Sequence, residues 1–213
     1  MSAPIDTLRQ GAAALGVAVS DAQAEQLLSY GTLMLKWNKV YNLTALRDPA
    51  TVLTHHLLDS LAAVGPLRRE WPGKGKLLDV GSGGGLPGVV IAIMRPDLEV
   101  SCLDAVAKKA AFVQQVAAEL ELPNLRGLHA RVESLVGSYE VVSSRAFASL
   151  PDFFKGSEHL LAPGGVWLAM KGKVPTDELA LLPASVAVFH VEQLVVPGLD
   201  AERCIVWARK EAA

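Results

Sequence analysis

Two hydrophobic rhythms divide this chain. Through residues 1–70 the apolar positions recur at helical spacing, with Leu27, Tyr30, Gly31, Met34 and Trp37 falling on one face. Ser20, followed three residues later by Gln23, has the form of a capping box opening that helix. Asp48-Pro49 is a second start signal, with Asp as N-cap and Pro at the first helical position. The helix it opens is expected to run to about Val64. Between them the polar and aromatic segment WNKVYNLT, 37–44, reads as a connector.

From Lys76 onward short apolar runs alternate with helical segments. Strands are expected at Lys76–Val80, Glu99–Asp104, Leu125–Leu128, Glu140–Ser144 and Val166–Met170. Helices are expected at Pro87–Met94, at Ala107–Leu122 with Phe112, Val113, Val116, Ala117 and Leu120 on one face, and at Pro151–Leu161. Pro163-Gly164-Gly165 reads as a turn. Such alternation argues for an α/β fold with a mostly parallel sheet covered on both faces. Val186–Val196 and Cys204–Ala208 form a further strand pair around a turn at 197–200, which would set one antiparallel strand at one end of the sheet. The expected organisation is a helical N-terminal extension, 1–70, packed on a single compact domain, 71–213.

Composition narrows the class. Of 213 residues 51% are hydrophobic and 20% charged, enough to bury a core and too apolar for disorder. No apolar run approaches the length of a membrane span, and the first residues lack the form of a secretory signal. Two isolated cysteines, Cys102 and Cys204, suit a reducing compartment, so the expected location is cytoplasmic. A net charge of −2 gives no general basic face for nucleic acid. Basic pairs occur at Lys36 and Lys39, Arg68 and Arg69, Lys108 and Lys109, and Lys171 and Lys173. Solvated surface charge is the simpler reading of each.

The segment LLDVGSGGGLPG, 77–88, carries the chemistry. A strand, a glycine turn and a helix present backbone N–H groups to a ligand. Gly83, Gly85 and Gly88 fit the spacing of a dinucleotide fingerprint, with Asp104 where a ribose-binding acid is expected. Asp79, Gly81, Gly83 and Gly85 fit a second register. Its distinguishing feature is the acid at the strand end, which would repel a pyrophosphate and favour a cationic ligand. S-adenosylmethionine carries an ammonium and a sulfonium and no phosphate, so it suits this register better, with Asp104 on the ribose hydroxyls. The simpler roles for Asp79 and Asp104 are caps on a turn or helix. A P-loop is excluded, because no Gly-Lys-Ser/Thr follows the glycines.

Several segments together resemble one family. WNKVYNLT at 37–44, HLLDS at 56–60, LDVGSGGGLPG at 78–88, LDAVAKK at 103–109, SRAFA at 144–148, LAPGG at 161–165 and MKG at 170–172 are similar to those of the bacterial small-subunit ribosomal RNA guanine-N7 methyltransferases. The resemblance extends from about Leu27 to the C-terminus. It implies a Rossmann-like class I fold dependent on S-adenosylmethionine, and methyl transfer to N7 of one guanosine in a loop of the decoding region. By position it implies that Gly81, Leu86, Val132, Glu133 and Arg145 bind the cofactor. Ala105 stands where Ser is expected, and Val132 where Ala is common.

Guanine N7 carries an in-plane lone pair and needs no deprotonation. Alignment of N7, methyl carbon and sulfur is then the main demand, and no general base or metal constellation is expected. Arg145 is expected to position the reactants, through the methionine carboxylate or guanine O6. Phe147 can stack on the base, although a core position is the simpler reading. Lys36, Asn42, Lys108, Lys109 and Lys171 are candidate RNA contacts. Lys108 and Lys109 open a helix, where the dipole disfavours cations. His55 and His56 would point roughly 100° apart on a helix and make a poor metal pair, so one packed and one hydrogen-bonded histidine is expected. A-form RNA hides N7 in a narrow groove, so the target must lie in an open loop or leave its stack. The expected partner is 16S ribosomal RNA within the small subunit or an assembly intermediate, with the enzyme a monomer. A methyltransferase acting on another RNA or on a metabolite, and a nicotinamide-dependent oxidoreductase, are the alternatives.

Overall fold

The computed structural model describes residues 3–211. It opens with α1 (Pro4–Ala14) and α2 (Asp21–Tyr41). The capping box at Ser20 forms in both directions: Ser20 Oγ accepts from the Gln23 amide and Gln23 Oε1 accepts from the Ser20 amide. Helix α2 runs further than expected and absorbs the first five residues of the WNKVYNLT segment. It stops at Asn42, whose φ of 49° and ψ of 55° form a left-handed cap, a conformation Asn tolerates better than most residues.

Asp48 opens the next helix by accepting from the Thr51 amide at 2.8 Å. That helix is not continuous. A single turn, α3 (Pro49–Val52), widens into a π-helical stretch at Leu53–Leu58 and closes with α4 (Asp59–Leu61), before α5 (Val64–Glu70). Such widened turns occur often at functional sites.

The remainder alternates as expected. β1 (Gly75–Val80), α6 (Gly88–Met94), β2 (Leu98–Asp104), α7 (Ala107–Glu119) and β3 (Leu125–His129) form one half. β4 (Tyr139–Arg145), α8 (Leu150–Ser157), β5 (Leu161–Lys171), α9 (Thr176–Ala180), β6 (Val186–Leu194) and β7 (Arg203–Lys210) form the other. Strand order is β3-β2-β1-β4-β5-β7-β6. β1 to β5 run parallel, and β7 is antiparallel to both neighbours. The antiparallel strand therefore lies one position in from the edge, because β7 folds back between β5 and β6. The expected turn at Pro163-Gly164-Gly165 is instead a bulge inside β5. Pairing jumps from Tyr139 opposite Leu161 to Val141 opposite Val166, and Gly164 takes the positive φ.

Side chains alternate across the sheet. Leu77 and Val141 face a core that also holds Val89, Phe112 and, from the N-terminal helices, Leu8, Leu27, Tyr30, Met34 and Leu57. Leu78 and Val142 face the other side, with Phe153, Phe154 and Trp167. The N-terminal helices thus share a core with α6 and α7. Strand order reverses between β1 and β4, which opens a crevice at their carboxyl ends. No described helix is long and apolar enough to cross a membrane. Cys102 and Cys204 are buried free thiols.

Candidate functional site

The glycine turn fills the crevice where β1 ends. Gly81, Gly83 and Gly85 all have positive φ, at 65°, 59° and 89°. A side chain at any of them would be strained. The Ser82 amide donates to Leu103 O, the Gly83 amide to Asp104 Oδ2, and the Gly85 and Leu86 amides to Ser82 O. Gly85 is pressed against Val89 and Val113, so its role is close packing of the turn on α6 and α7. Gly81 lies directly under the ring of Phe147.

Asp79 does not face this crevice. It is fully buried beneath the turn, accepting from the Gly88 amide at 2.9 Å and from Ser143 Oγ at 3.0 Å. Burial pushes its pKa up to about 7, against the pull of those two hydrogen bonds and of Arg145. Its geometry is that of a cap holding α6 to β1. The same bond occupies the first amide of α6, the donor a pyrophosphate would need.

Two cavities flank the turn and share Gly81 and Ala146. The smaller, about 340 Å³, is lined by Asp104, Lys109, Val132, Glu133 and Phe147 among others. Asp104 takes the capping role: Oδ1 caps the Val106 amide at 2.8 Å, Oδ2 holds Gly83 at 3.0 Å, and the carboxylate lines the cavity. Lys109 Nζ lies 3.6 Å from Asp104, which places this lysine at the cavity rather than on an outer RNA-facing surface. A 3-10 turn, Val132–Ser134, presents Val132 and Glu133.

The larger cavity, about 550 Å³, is lined by Gly83 and Leu86 from the turn and by residues gathered from distant segments. Arg145, at the end of β4, donates to Asp59 Oδ2 at 2.7 Å and to His55 O at 3.2 Å. Arg203, at the start of β7, donates to Asp59 Oδ1 at 2.7 Å. One carboxylate, 1% exposed, thus holds two arginines from different strands. Both histidines line this cavity. His56 Nε2 lies 2.7 Å from Thr44 Oγ1. Burial first, then the Arg145 charge, depress its pKa to about 4, so the ring is neutral at neutral pH. Lys171 is half-buried and donates to Ala148 O and Glu178 Oε2, both at 2.8 Å, in place of a free phosphate contact.

Phe147 departs from its expected core position: it is 43% exposed and covers Gly81. Lys36, Asn42 and Lys108 are exposed and line neither cavity, and Asn42 is the cap of α2. Thr44, His55, His56, Asp59 and Arg203 were not expected in a site. Thr44, His56 and Asp59 lie in the YNLT and HLLDS segments, whose pattern was a signal for them. Arg203 carried no local signal.

The donors and acceptors fit S-adenosylmethionine. Asp104 and Glu133 offer carboxylates for ribose hydroxyls on one side of Gly81, and the Arg145 guanidinium offers donors for a carboxylate on the other.

Comparison with known proteins agrees. The family model described as rRNA small subunit methyltransferase G matches residues 23–206. A protein of Acidovorax sp. (strain JS42) named ribosomal RNA small subunit methyltransferase G is 64% identical over 214 residues, covering 96% of this chain and 95% of its own. One of the same name from Paracidovorax citrulli is 62% identical, covering 98% and 90%. Among solved structures, a SAM-dependent methyltransferase from Aquifex aeolicus has the same fold at a TM-score of 0.58 and 17% identity, covering 78% of this chain and 96% of its own.

Proposed function

The chain belongs to the rRNA small subunit methyltransferase G family, and from that premise we propose that it methylates N7 of one guanosine in 16S ribosomal RNA. The observation that carries this reading is the pair of cavities meeting at Gly81 and Ala146. One has the acids for a ribose and the other has room for a base beside the turn. S-adenosylmethionine, when bound, supplies an electrophilic methyl on a cationic sulfur.

The protein's part is positioning. Asp104 and Glu133 accept from the ribose, Val132 flanks the adenine, and Gly81 allows close approach once the Phe147 ring that covers it moves aside. Arg145, held by Asp59, donates to the carboxylate of the methionine moiety or to guanine O6. The acceptor base enters the larger cavity, whose wall includes Met34, Leu43 and neutral His56. N7 attacks with its own lone pair, so no side chain has to remove a proton in that step. Lys36, Lys108 and the exposed ring of Phe147 are the surface groups proposed to meet RNA. The low net charge supports a ribosomal particle, in place of protein-free RNA, as substrate; a monomeric enzyme is part of the same proposal.

The test is transfer of labelled methyl to small subunits lacking the modification and, in parallel, to protein-free 16S RNA. Strand cleavage at N7-methylguanosine then maps the product. The expected result is one labelled guanosine, formed faster on subunits. Label on another atom or nucleotide overturns the N7 assignment, and equal rates overturn the particle.

A further inference from the structure

We propose that Tyr30, in the N-terminal helical segment, is a positioning residue for the cofactor-binding glycine turn. Its place on the apolar face of α2 is that of a core residue, and its ring is wholly buried and stacked with Phe112 at 6.3 Å between centroids. A buried tyrosine also needs a partner for its hydroxyl. That partner is Gly84 O, at 2.5 Å, in the middle of the turn. Gly84 is itself buried, at the wall of the larger cavity.

The other restraints on the turn come from the sheet half of the molecule. Leu103 O holds Ser82, Asp104 holds Gly83, and Asp79 holds Gly88. Tyr30 reaches it from the N-terminal helices, across 54 residues of sequence. One helical turn further along α2, Met34 packs against Gly84 and lines the larger cavity. The hydroxyl fixes the direction of the Gly84 peptide, and with it the positive-φ path through Gly83 and Gly85 that exposes Gly81 and Gly83 to a ligand. Helix α2 thereby sets the shape of the cofactor site without touching the cofactor.

This inference rests on the reading that the turn receives S-adenosylmethionine. The test is calorimetric titration of S-adenosylmethionine into the full-length parent and Tyr30→Phe, with thermal unfolding of both. The substitution keeps ring and packing and removes one hydroxyl, leaving a buried carbonyl unpaired. The expected result is a Kd raised about tenfold, a matching rise in KM for the cofactor, and an unchanged KM for the ribosomal acceptor. Leu27→Ala, which thins the same helix face without touching the turn, is expected to lower the melting temperature and leave Kd within about twofold. If the parent fails to bind, the cofactor reading fails. If the parent binds and Tyr30→Phe binds as well as it does, the positioning role is overturned. The role is also overturned if weaker binding in Tyr30→Phe is matched by Leu27→Ala at equal loss of stability.

Discussion

The two cavities beside the glycine turn are built in opposite ways. Every residue of the smaller one lies between Val80 and Phe147, at the ends of successive strand and helix units. The larger one draws on Met34 and the loop after α2, on the π-helical stretch and Asp59, and on the ends of β4, β5 and β7. The first is therefore a local product of the α/β half, and the second exists only when the whole chain has folded. Physically, the smaller cavity should respond chiefly to substitutions among its own contacts, apart from the hold of Tyr30 on the turn it shares. The larger should respond to any change that loosens the packing of the N-terminal helices on the sheet.

Asp59 is where that difference is greatest. Asp59→Ala removes the one carboxylate that neutralises Arg145 and Arg203, whose side chains are 19% and 24% exposed. The expected loss is about 3–5 kcal/mol, since two poorly hydrated guanidinium groups stay behind. Urea unfolding measures it. A loss below about 1 kcal/mol would mean the pairs behave as surface ion pairs, and the larger cavity would not depend on them.

Asp79 lies under the turn and belongs to neither cavity, so it separates foundation from wall. Its folded pKa of about 7 stands above the ordinary value of 3.8. A raised acid favours the fold most below its unfolded pKa, and that advantage is lost as pH climbs to the folded pKa. Between pH 5 and pH 8 the parent should lose about 3 kcal/mol relative to Asp79→Asn, which cannot ionise. Denaturation midpoints of both proteins at the two pH values give the difference. Parallel pH profiles would remove Asp79 as a strained foundation.

Asp104→Ala tests the opposite side. It should raise the Kd for S-adenosylmethionine by about tenfold or more, through lost ribose contacts and a freed Gly83 amide. The KM for the ribosomal acceptor should change less than about twofold. A larger effect on the acceptor than on the cofactor would merge the two cavities into one energetic unit.

The contrast also explains what the sequence could reveal. The strands, the glycine turn and Asp104 were legible because each lies within a short pattern of fixed spacing, whereas Val132 and Glu133 came only with the family resemblance. Asp79 was read for its charge, whereas strand alternation sets its direction. It shares the face of Leu77, which points into the core beside α6. The end of α2 was set too early because the polar WNKV stretch hid a helix whose buried face continues through Asn38. Thr44, His56 and Asp59 were visible only as members of familiar segments. Arg203 was invisible, because its partner lies 144 residues away and no local spacing encodes that meeting.

Phe147 offers the smallest and most pointed test, since its ring stands at the boundary itself. It covers Gly81, the residue common to both cavities, and follows Ala146, whose φ of 53° is unusual for a residue with a side chain. A cofactor that approaches Gly81 from its Cβ side must displace the ring. Phe147→Ala should therefore change stability by no more than about 1 kcal/mol, because the ring is 43% exposed. Cofactor association should become faster by a small factor in stopped-flow mixing, with the dissociation rate little altered. If the ring also stacks on the acceptor base, the same variant should raise the acceptor KM, since base stacking contributes about 1–3 kcal/mol. Faster cofactor entry with an unchanged acceptor KM would make Phe147 a cover for the smaller cavity alone. Slower entry would show that the ring supports Gly81 in its open form, and the boundary between the two cavities would then lie elsewhere.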